Sequence, residues 1–301
     1  MTDPWTPPAK ALEAAEQGRA FELDGGPDAV LLLHGLTGAT FEVAPVAYRL
    51  AEAGFRCLVP VMAGHGGRAE ELIGVPWSEW VARARRDLDR LAGARRTFVV
   101  GFSMGALVAC ALAHDHPEKV DGLVLLAPAL ELTFSGRLAG LLGRSGLFWR
   151  TVIPKRDGSD VRDEEMRRRN PCLPGVPLSS VAELQALAAS VDRALPGIAA
   201  PALVIAGGED HTVTLAGARR IAQRIGSGPA RLLVLPESYH LVGLDVERDV
   251  CADEVARFLG ALPVPGTGLP PRAAPRKGRR VASSGRARRV GPRPPSSRGR
   301  R

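Results

Sequence analysis

Apolar residues along this chain follow two rhythms. In the first they form short, nearly unbroken runs: Ala29–Leu33, Phe55–Val59, Thr97–Val100, Val120–Leu126, Ala202–Ala206 and Arg231–Leu235. Runs of this length, rich in Val, Ile and Leu and bounded by Gly, Pro or charge, predict strands covered on both faces. In the second, apolar positions recur every three or four residues: Phe41–Ala53, Trp77–Leu91, Ala106–Ala113, Leu215–Ile225 and Val246–Leu262. These predict amphipathic helices; the second carries Trp77, Trp80, Val81, Ala84, Leu88 and Leu91 inward and its arginines outward. The two rhythms alternate, which predicts an α/β fold with a mainly parallel, doubly wound sheet. In such a sheet a ligand site lies beyond the carboxyl ends of the strands. No internal repeat is visible.

The alternation lapses after Ala129. From Glu131 to about Gly197 no strong strand is legible; Leu138–Leu142, Asp163–Arg169 and Ser180–Leu195 read as helices punctuated by Pro154, Pro171, Pro174 and Pro177. An insertion at about 130–197, placed over the sheet as a lid, is the expectation. The domain itself is expected to run over residues 1–262. From Pro263 onward there are twelve basic residues and no acidic one. This accounts for the formal charge of +8 and leaves a mildly acidic body, with 28 basic residues against 32 acidic. With almost nothing apolar to bury, 263–301 is expected to be a disordered basic tail. It is a candidate for contact with nucleic acid or an anionic surface, although it has no aromatic residue to stack on bases.

Composition narrows the class further. At 45% hydrophobic and 24% charged the chain suits a globular protein. The longest apolar runs are strand-sized, so no transmembrane segment is expected. Residues 1–10 lack the basic-then-apolar pattern of a signal peptide. Cys57, Cys110, Cys172 and Cys251 are scattered, with no C-x-x-C pair. They read as reduced residues of a cytoplasmic protein, neither a disulfide frame nor a metal site.

The candidate chemistry begins where Thr97–Val100 meets Gly101-Phe102-Ser103-Met104-Gly105. Strand, G-x-S-x-G and helix, in that order, describe a turn tight enough to hold a serine hydroxyl clear of the sheet. The helix beginning beneath it aims free N–H groups at any developing oxyanion. A serine nucleophile needs a base. Of six histidines, His114 and His116 lie at the far end of the following helix. His34 and His65 sit in Gly-flanked turns and read as structural, and His211 adjoins Asp210. His240 follows the last strand on a loop free to fold over the sheet, and is the preferred base. Asp210, at the end of the Ala202–Ala206 strand, is the carboxylate expected to orient it, with Glu209 as the neighbouring rival. The second oxyanion donor, beside the Met104 N–H, is expected from the loop after the first core strand, at Leu36.

The motifs His34-Gly35-Leu36-Thr37-Gly38, Gly64-His65-Gly66, Gly101-Phe102-Ser103-Met104-Gly105, Asp210-His211-Thr212-Val213 and His240 followed by Asp245-Val246-Glu247-Arg248 are together similar to those of the α/β-hydrolase superfamily. Within it the chain resembles small bacterial carboxylesterases and monoacylglycerol lipases, from about Val30 to Leu259. The resemblance implies a serine hydrolase acting on carboxylic esters without a cofactor, with Ser103, Asp210 and His240 as triad and Leu36 and Met104 as oxyanion donors. The tail has no counterpart in that pattern, and Leu130–Gly175 matches it less well. The expected substrates are small-molecule esters of short to medium acyl chains, monoacylglycerols among them. Thioesters, amides and carbon–carbon diketones are reactions the same scaffold hosts. A catalytically dead scaffold is a further alternative, opposed by the presence of every triad part. Leu138, Leu141, Leu142, Leu147, Phe148, Trp149, Val152 and Ile153 have two readings: lining of an acyl tunnel, or the surface that docks the insert onto the sheet.

Overall fold

The computed structural model describes residues 6–155 and 158–264. The basic tail expected from Pro263 lies, past Val264, outside the described residues. In chain order the elements are α1 (Ala9–Glu16), β1 (Phe21–Leu23), β2 (Asp28–Leu33), α2 (Ala44–Glu52), β3 (Arg56–Val59), α3 (Trp77–Asp89), β4 (Arg96–Phe102), α4 (Met104–Asp115) and β5 (Gly122–Leu126). The insert follows, with α5 (Phe134–Arg144), β6 (Val152–Pro154), α6 (Glu164–Arg169), β7 (Gly175–Pro177) and α7 (Leu178–Ala194). Alternation resumes with β8 (Ala202–Gly207), α8 (Leu215–Arg224), β9 (Arg231–Leu235) and α9 (Arg248–Ala261).

Seven strands form one sheet in the order β1-β3-β2-β4-β5-β8-β9. All neighbours are parallel except β1, which runs antiparallel to β3 at the edge. The continuous apolar runs are explained by strict alternation between two cores. Ala29, Leu31 and Leu33 of β2, Leu123 and Leu125 of β5, and Val204 of β8 face the helices α3, α4, α7 and α8. Val30 and Leu32, Val124 and Leu126, and Leu203 and Ile205 face α1, α2 and α9. A strand buried on both sides has no polar face to show, so its sequence reads as an unbroken run. Each fully buried aliphatic side chain contributes about 1.5–3 kcal/mol to this double core, and because the strands are parallel their carboxyl ends form one rim.

Two elements at the amino end, α1 and β1, carry no strong pattern in the sequence. β1 is three residues long, and only Phe21 and Leu23 point inward. The predicted Phe41–Ala53 helix is a 3-10 turn, Thr40–Val43, running into α2. In the insert, β6 and β7 are an antiparallel pair of three residues each, outside the main sheet. Both hold a proline, which restricts such strands to small edge pairings. The last insert helix, α7, packs against α4 and sends Leu184, Leu187 and Val191 into the main core.

Apart from Val152, which packs against Leu72 and Leu173, and Ile153, which borders a cavity at the sheet rim, the large apolar residues of the insert's first half do neither of the two things expected of them. Leu138, Leu141, Leu142, Leu147, Phe148, Trp149 and Ile153 are exposed. The reason is steric: α5 meets α7 through its smallest residues. Gly140 and Gly143 are the buried positions of α5. A Cβ on Gly143 would collide with the Leu178 carbonyl, and one on Gly140 with the Gln185 side chain. The glycine seam lets α5 lie close to α7, and its larger side chains therefore turn outward.

No helix among the described residues is long and apolar enough to cross a membrane. All four cysteines are free.

Candidate active site

β4 leads into α4 through Ser103, which takes φ 54° and ψ −111°. A non-glycine residue is held there only by surrounding structure that over-determines it. The flanking glycines show how. A Cβ on Gly101 would collide with the Gly105 carbonyl, and one on Gly105 with the Leu33 carbonyl at the end of β2. The turn thus packs backbone on backbone. The Ser103 N–H is tied to the Leu126 carbonyl of β5 at 2.8 Å, leaving the hydroxyl free to point over the rim.

Because the sheet is parallel, β8 and β9 end on the same rim. Their exits are stitched together: Gly208 N–H donates to the Leu235 carbonyl at 2.7 Å and Glu209 N–H to the Ser238 carbonyl at 3.1 Å. The loop after β8 carries Asp210, and the loop after β9 carries His240. The His240 Nδ1–H donates to Asp210 Oδ2 at 2.8 Å, and the Ser103 hydroxyl donates to His240 Nε2 at 3.0 Å. The tautomer follows from the partners, since a carboxylate only accepts. Asp210 Oδ1 in turn accepts the N–H groups of Thr212 and Val213, each at 2.8 Å. Glu209 is exposed; the carboxylate in contact with the imidazole is Asp210.

Burial alone would lift the Asp210 carboxyl. The charge and hydrogen bond of His240, with the Val213 and Thr212 amides, outweigh it and hold the carboxyl below its ordinary value. His240 is the mirror case. Burial would lower it, but the charge and hydrogen bond of Asp210, then Asp160 and Glu42, raise it above its ordinary value. The pair is therefore arranged to bear a proton on the imidazole while the carboxylate stays ionised.

The two backbone N–H groups expected to face an oxyanion come from the loop after β2 and from the elbow. Met104 is the first residue of α4, so its N–H has no acceptor within the helix. The Leu36 N–H shares a peptide plane with the Gly35 carbonyl, and that plane is fixed from both sides of Gly35. Met62 N–H donates to His34 Nε2 at 3.0 Å, which leaves His34 Nδ1–H to donate to the Gly35 carbonyl at 2.9 Å. Gly35 N–H donates to Glu42 Oε2 at 3.0 Å. His34 stays neutral because burial, then the neighbouring His65, push it down to about 3. His65, edge-on to His34, is pushed down to about 4 by burial. Both histidines act within the loops, as their Gly-flanked positions suggested. His114 and His116 lie at the end of α4, away from Ser103.

Ser103 and His240 open onto a cavity of about 410 Å3, within the usual range for small-molecule sites. Leu132, Ala139, Val176, Val181 and Leu184 give it an apolar wall, and Thr133, Lys155, Asp160 and His211 a polar one. Among the insert residues read as a tunnel lining, only Ile153 reaches it.

Three carboxylates escaped the sequence reading. Glu42 lies behind the Gly35 turn. Asp160 accepts from the His211 N–H at 3.1 Å and the Thr212 hydroxyl at 3.0 Å, tying the insert to the Asp210 loop. Asp245 is fully buried and accepts four backbone N–H groups, from Arg162, Asp163, Tyr239 and Val246. It thereby joins the insert to the His240 loop. Asp245 stood in a recognised motif, but its partners lie on segments that no local spacing relates to it. Nothing in the sequence sets Glu42 or Asp160 apart from other acidic residues.

The sequence from residue 27 to 247 matches the model of the serine aminopeptidase S33 family. A thermostable monoacylglycerol lipase from Bacillus sp. is 30% identical, over 79% of this chain and 92% of its own length. A carboxylesterase from Bacillus subtilis is 27% identical, over 81% of this chain and 97% of its own. Among solved structures, one reported with the metagenome-derived lipolytic enzymes LipS and LipT superposes with a TM-score of 0.74 at 26% identity, covering 81% of this chain and 98% of that one. A monoacylglycerol lipase from Paleococcus ferrophilus shares the fold, with a TM-score of 0.67 at 20% identity, covering 80% and 97%. With a strand-ended serine, histidine and aspartate on a parallel sheet and a family match spanning most of the chain, the protein belongs to the serine aminopeptidase S33 family of the α/β-hydrolase superfamily and is a hydrolase.

Proposed function

We propose that the protein cleaves carboxylic esters through an acyl-enzyme on Ser103, with His240 as general base and acid and Asp210 as its orienting carboxylate. The observation that carries this reading is the unbroken relay from Asp210 through His240 to Ser103, with bonds of 2.8 and 3.0 Å. His240 Nε2 takes the hydroxyl proton as Ser103 Oγ attacks the ester carbonyl. The tetrahedral oxyanion is held by the N–H groups of Leu36 and Met104, each worth about 10²–10³ in rate. The C–O bond to the alcohol then breaks as His240 returns the proton to the leaving oxygen. Water, deprotonated by the same imidazole, releases the acid and restores Ser103. The chain's own groups complete this cycle without a cofactor.

The substrates we infer are esters of short to medium acyl chains, monoacylglycerols among them. The apolar wall of Val176, Val181 and Leu184 suits the acyl chain, and the polar wall suits a hydroxylated leaving group. The named esterase and monoacylglycerol lipase relatives support the same choice. A cytoplasmic setting accords with four free cysteines.

Ser103→Ala tests the assignment on nitrophenyl esters and monoglycerides of graded chain length. Turnover is expected to fall by about 10³-fold or more, as loss of a triad serine does elsewhere, and fluorophosphonate labelling at that residue to vanish. Undiminished hydrolysis rejects the nucleophile. Wild-type activity peaking on amides, thioesters or diketones rejects the substrate class.

A further inference from the structure

Glu42 is an acid in an unusual place. It sits in the 3-10 turn before α2, is 5% exposed, and borders the same cavity as Ser103. Its Oε2 accepts the Gly35 N–H at 3.0 Å. The carboxyl nests so closely in the Gly35–Gly38 turn that a Cβ on Gly38 would collide with it. Gly35 is the residue whose carbonyl shares a peptide plane with the Leu36 N–H. His34 holds that carbonyl from one side, and Glu42 holds the amide of the same residue from the other. With an apolar side chain in place of Glu42, the Gly35 N–H would lose its acceptor in a buried turn, which is costly. The turn would then rotate to find another partner, taking the Leu36 N–H with it.

We propose that Glu42 is a positioning residue of the ester-hydrolysing site: its carboxylate locks the oxyanion turn and adds a further negative charge facing the imidazolium of His240. This rests on the reading of Ser103, His240 and Leu36 given above. Three carboxylates face His240: Asp210 from the loop after β8, Asp160 from the insert, and Glu42 from the turn before α2. Lys155 is the positive charge acting on Glu42. Burial raises the Glu42 carboxyl above its ordinary value, while Lys155, the Gly35 N–H, His240 and Asn170 favour its ionised form. Asp210 bonds the imidazole directly. Glu42 acts on the imidazolium at a distance, from behind the oxyanion turn, with its Oε2 engaged by the Gly35 N–H.

Glu42→Gln and Glu42→Leu separate the two parts of this role. Glutamine keeps an oxygen for the Gly35 N–H and removes the charge; leucine removes both. The measurements are kcat and KM for nitrophenyl butyrate across pH 5–9, and the inhibition constant of a butyl trifluoromethyl ketone, whose hemiketal oxygen occupies the oxyanion position. For Glu42→Leu the expected result is a fall in kcat of about 10- to 100-fold with KM little changed, and ketone binding weakened in parallel. Glu42→Gln should recover most of kcat. The acid limb of its kcat/KM profile should move down by about half a pH unit, because less negative charge favours the imidazolium. A lower kcat with ketone affinity unchanged overturns the proposal, as that is damage without loss of the oxyanion turn. An unshifted limb in Glu42→Gln overturns it too, and decides the matter if Glu42→Leu does not fold. Ser103→Ala run alongside keeps the two readings distinct. If it is inactive while both Glu42 variants match wild type, Glu42 alone is wrongly placed; if it remains active, the site itself is.

Discussion

At the carboxyl rim of the sheet, glycine lets backbone approach backbone so that one side chain, Ser103, stands free above the turn. On α5 glycine brings backbone to backbone again, at Gly143 against Leu178, with the opposite consequence: the large side chains of the helix are turned to solvent. The rim is fixed by seven strands with a core on each face. The first half of the insert is fixed by a glycine seam, a three-residue strand pair, and hydrogen bonds from Gln185 to the Gly136 and Arg137 carbonyls and from Thr133 to Thr212. The chemistry we propose thus sits on the sheet rim, and the wall we assign to the acyl chain is drawn partly from the insert, through Gly136, Ala139 and Ile153. The difference teaches that the two can change separately: residues of the rim should govern rate on every ester, and residues of the insert should govern which ester.

Asp210→Asn presses hardest on the rim. Asparagine keeps the volume and the two amide contacts, but presents an N–H to His240 and favours the wrong tautomer. A fall in kcat of about 10⁴-fold is expected, equal across acyl lengths. The pH dependence should change with it. His240 must be neutral to act as base, and its pKa is raised chiefly by the Asp210 charge and hydrogen bond against burial. Wild-type activity should therefore rise with pH through a value above the ordinary 6.5 of histidine. The residual activity of Asp210→Asn should rise at a lower pH. A loss confined to long acyl esters would erase the distinction between rim and insert.

The rim was legible in the sequence because its constraints are local and severe. Only a tight turn between a strand and a helix explains glycines two residues either side of Ser103, and strand-end position singled out Asp210 and His240 from their neighbours. The sheet was legible because a strand buried on both faces can carry no polar alternation. The outward face of α5 was not legible, since size and hydrophobicity suggest burial of Leu138 and Leu141 and give no sign that Gly140 and Gly143 take the seam. β1 and β6 are too short to register against their surroundings. Glu42, Asp160 and Asp245 act through backbone amides as far as 83 residues distant in sequence, and nothing in the spacing of an acidic residue announces such partners.

Gly143→Leu moves the comparison to the insert. Its Cβ meets the Leu178 carbonyl, so α5 must lift from α7. Overpacking of this kind costs about 1–3 kcal/mol, read as a lower midpoint in thermal unfolding followed by circular dichroism. Lifting α5 carries Gly136 and Ala139 away from the opposing Val181 and Leu184 and widens the apolar wall. The ratio of kcat/KM for decanoate over acetate nitrophenyl esters is expected to rise about 10-fold, the low end of what one methylene contributes in an apolar pocket. The acetate kcat should stay within about threefold. A drop in acetate turnover equal to that on decanoate would mean that α5 supports the rim after all.

The smallest effect is expected from Phe134→Ser combined with Leu141→Ser. At 80% and 59% exposed, these side chains bury little that serine would forfeit. Neither belongs to the cavity beside Ser103. Exposed substitutions of this sort change stability by about 0.5 kcal/mol or less, so the unfolding midpoint should move by no more than a few degrees and kcat/KM on dissolved short esters should be unchanged. The glycine seam makes this a stringent test. Were the large residues of α5 its true packing face, removing two of them would destabilise the insert as much as Gly143→Leu does, and acyl selectivity would shift with it. Unchanged selectivity in the double variant, beside altered selectivity in the glycine variant, would locate the control of chain length in the buried small residues of the helix rather than in its conspicuous apolar ones.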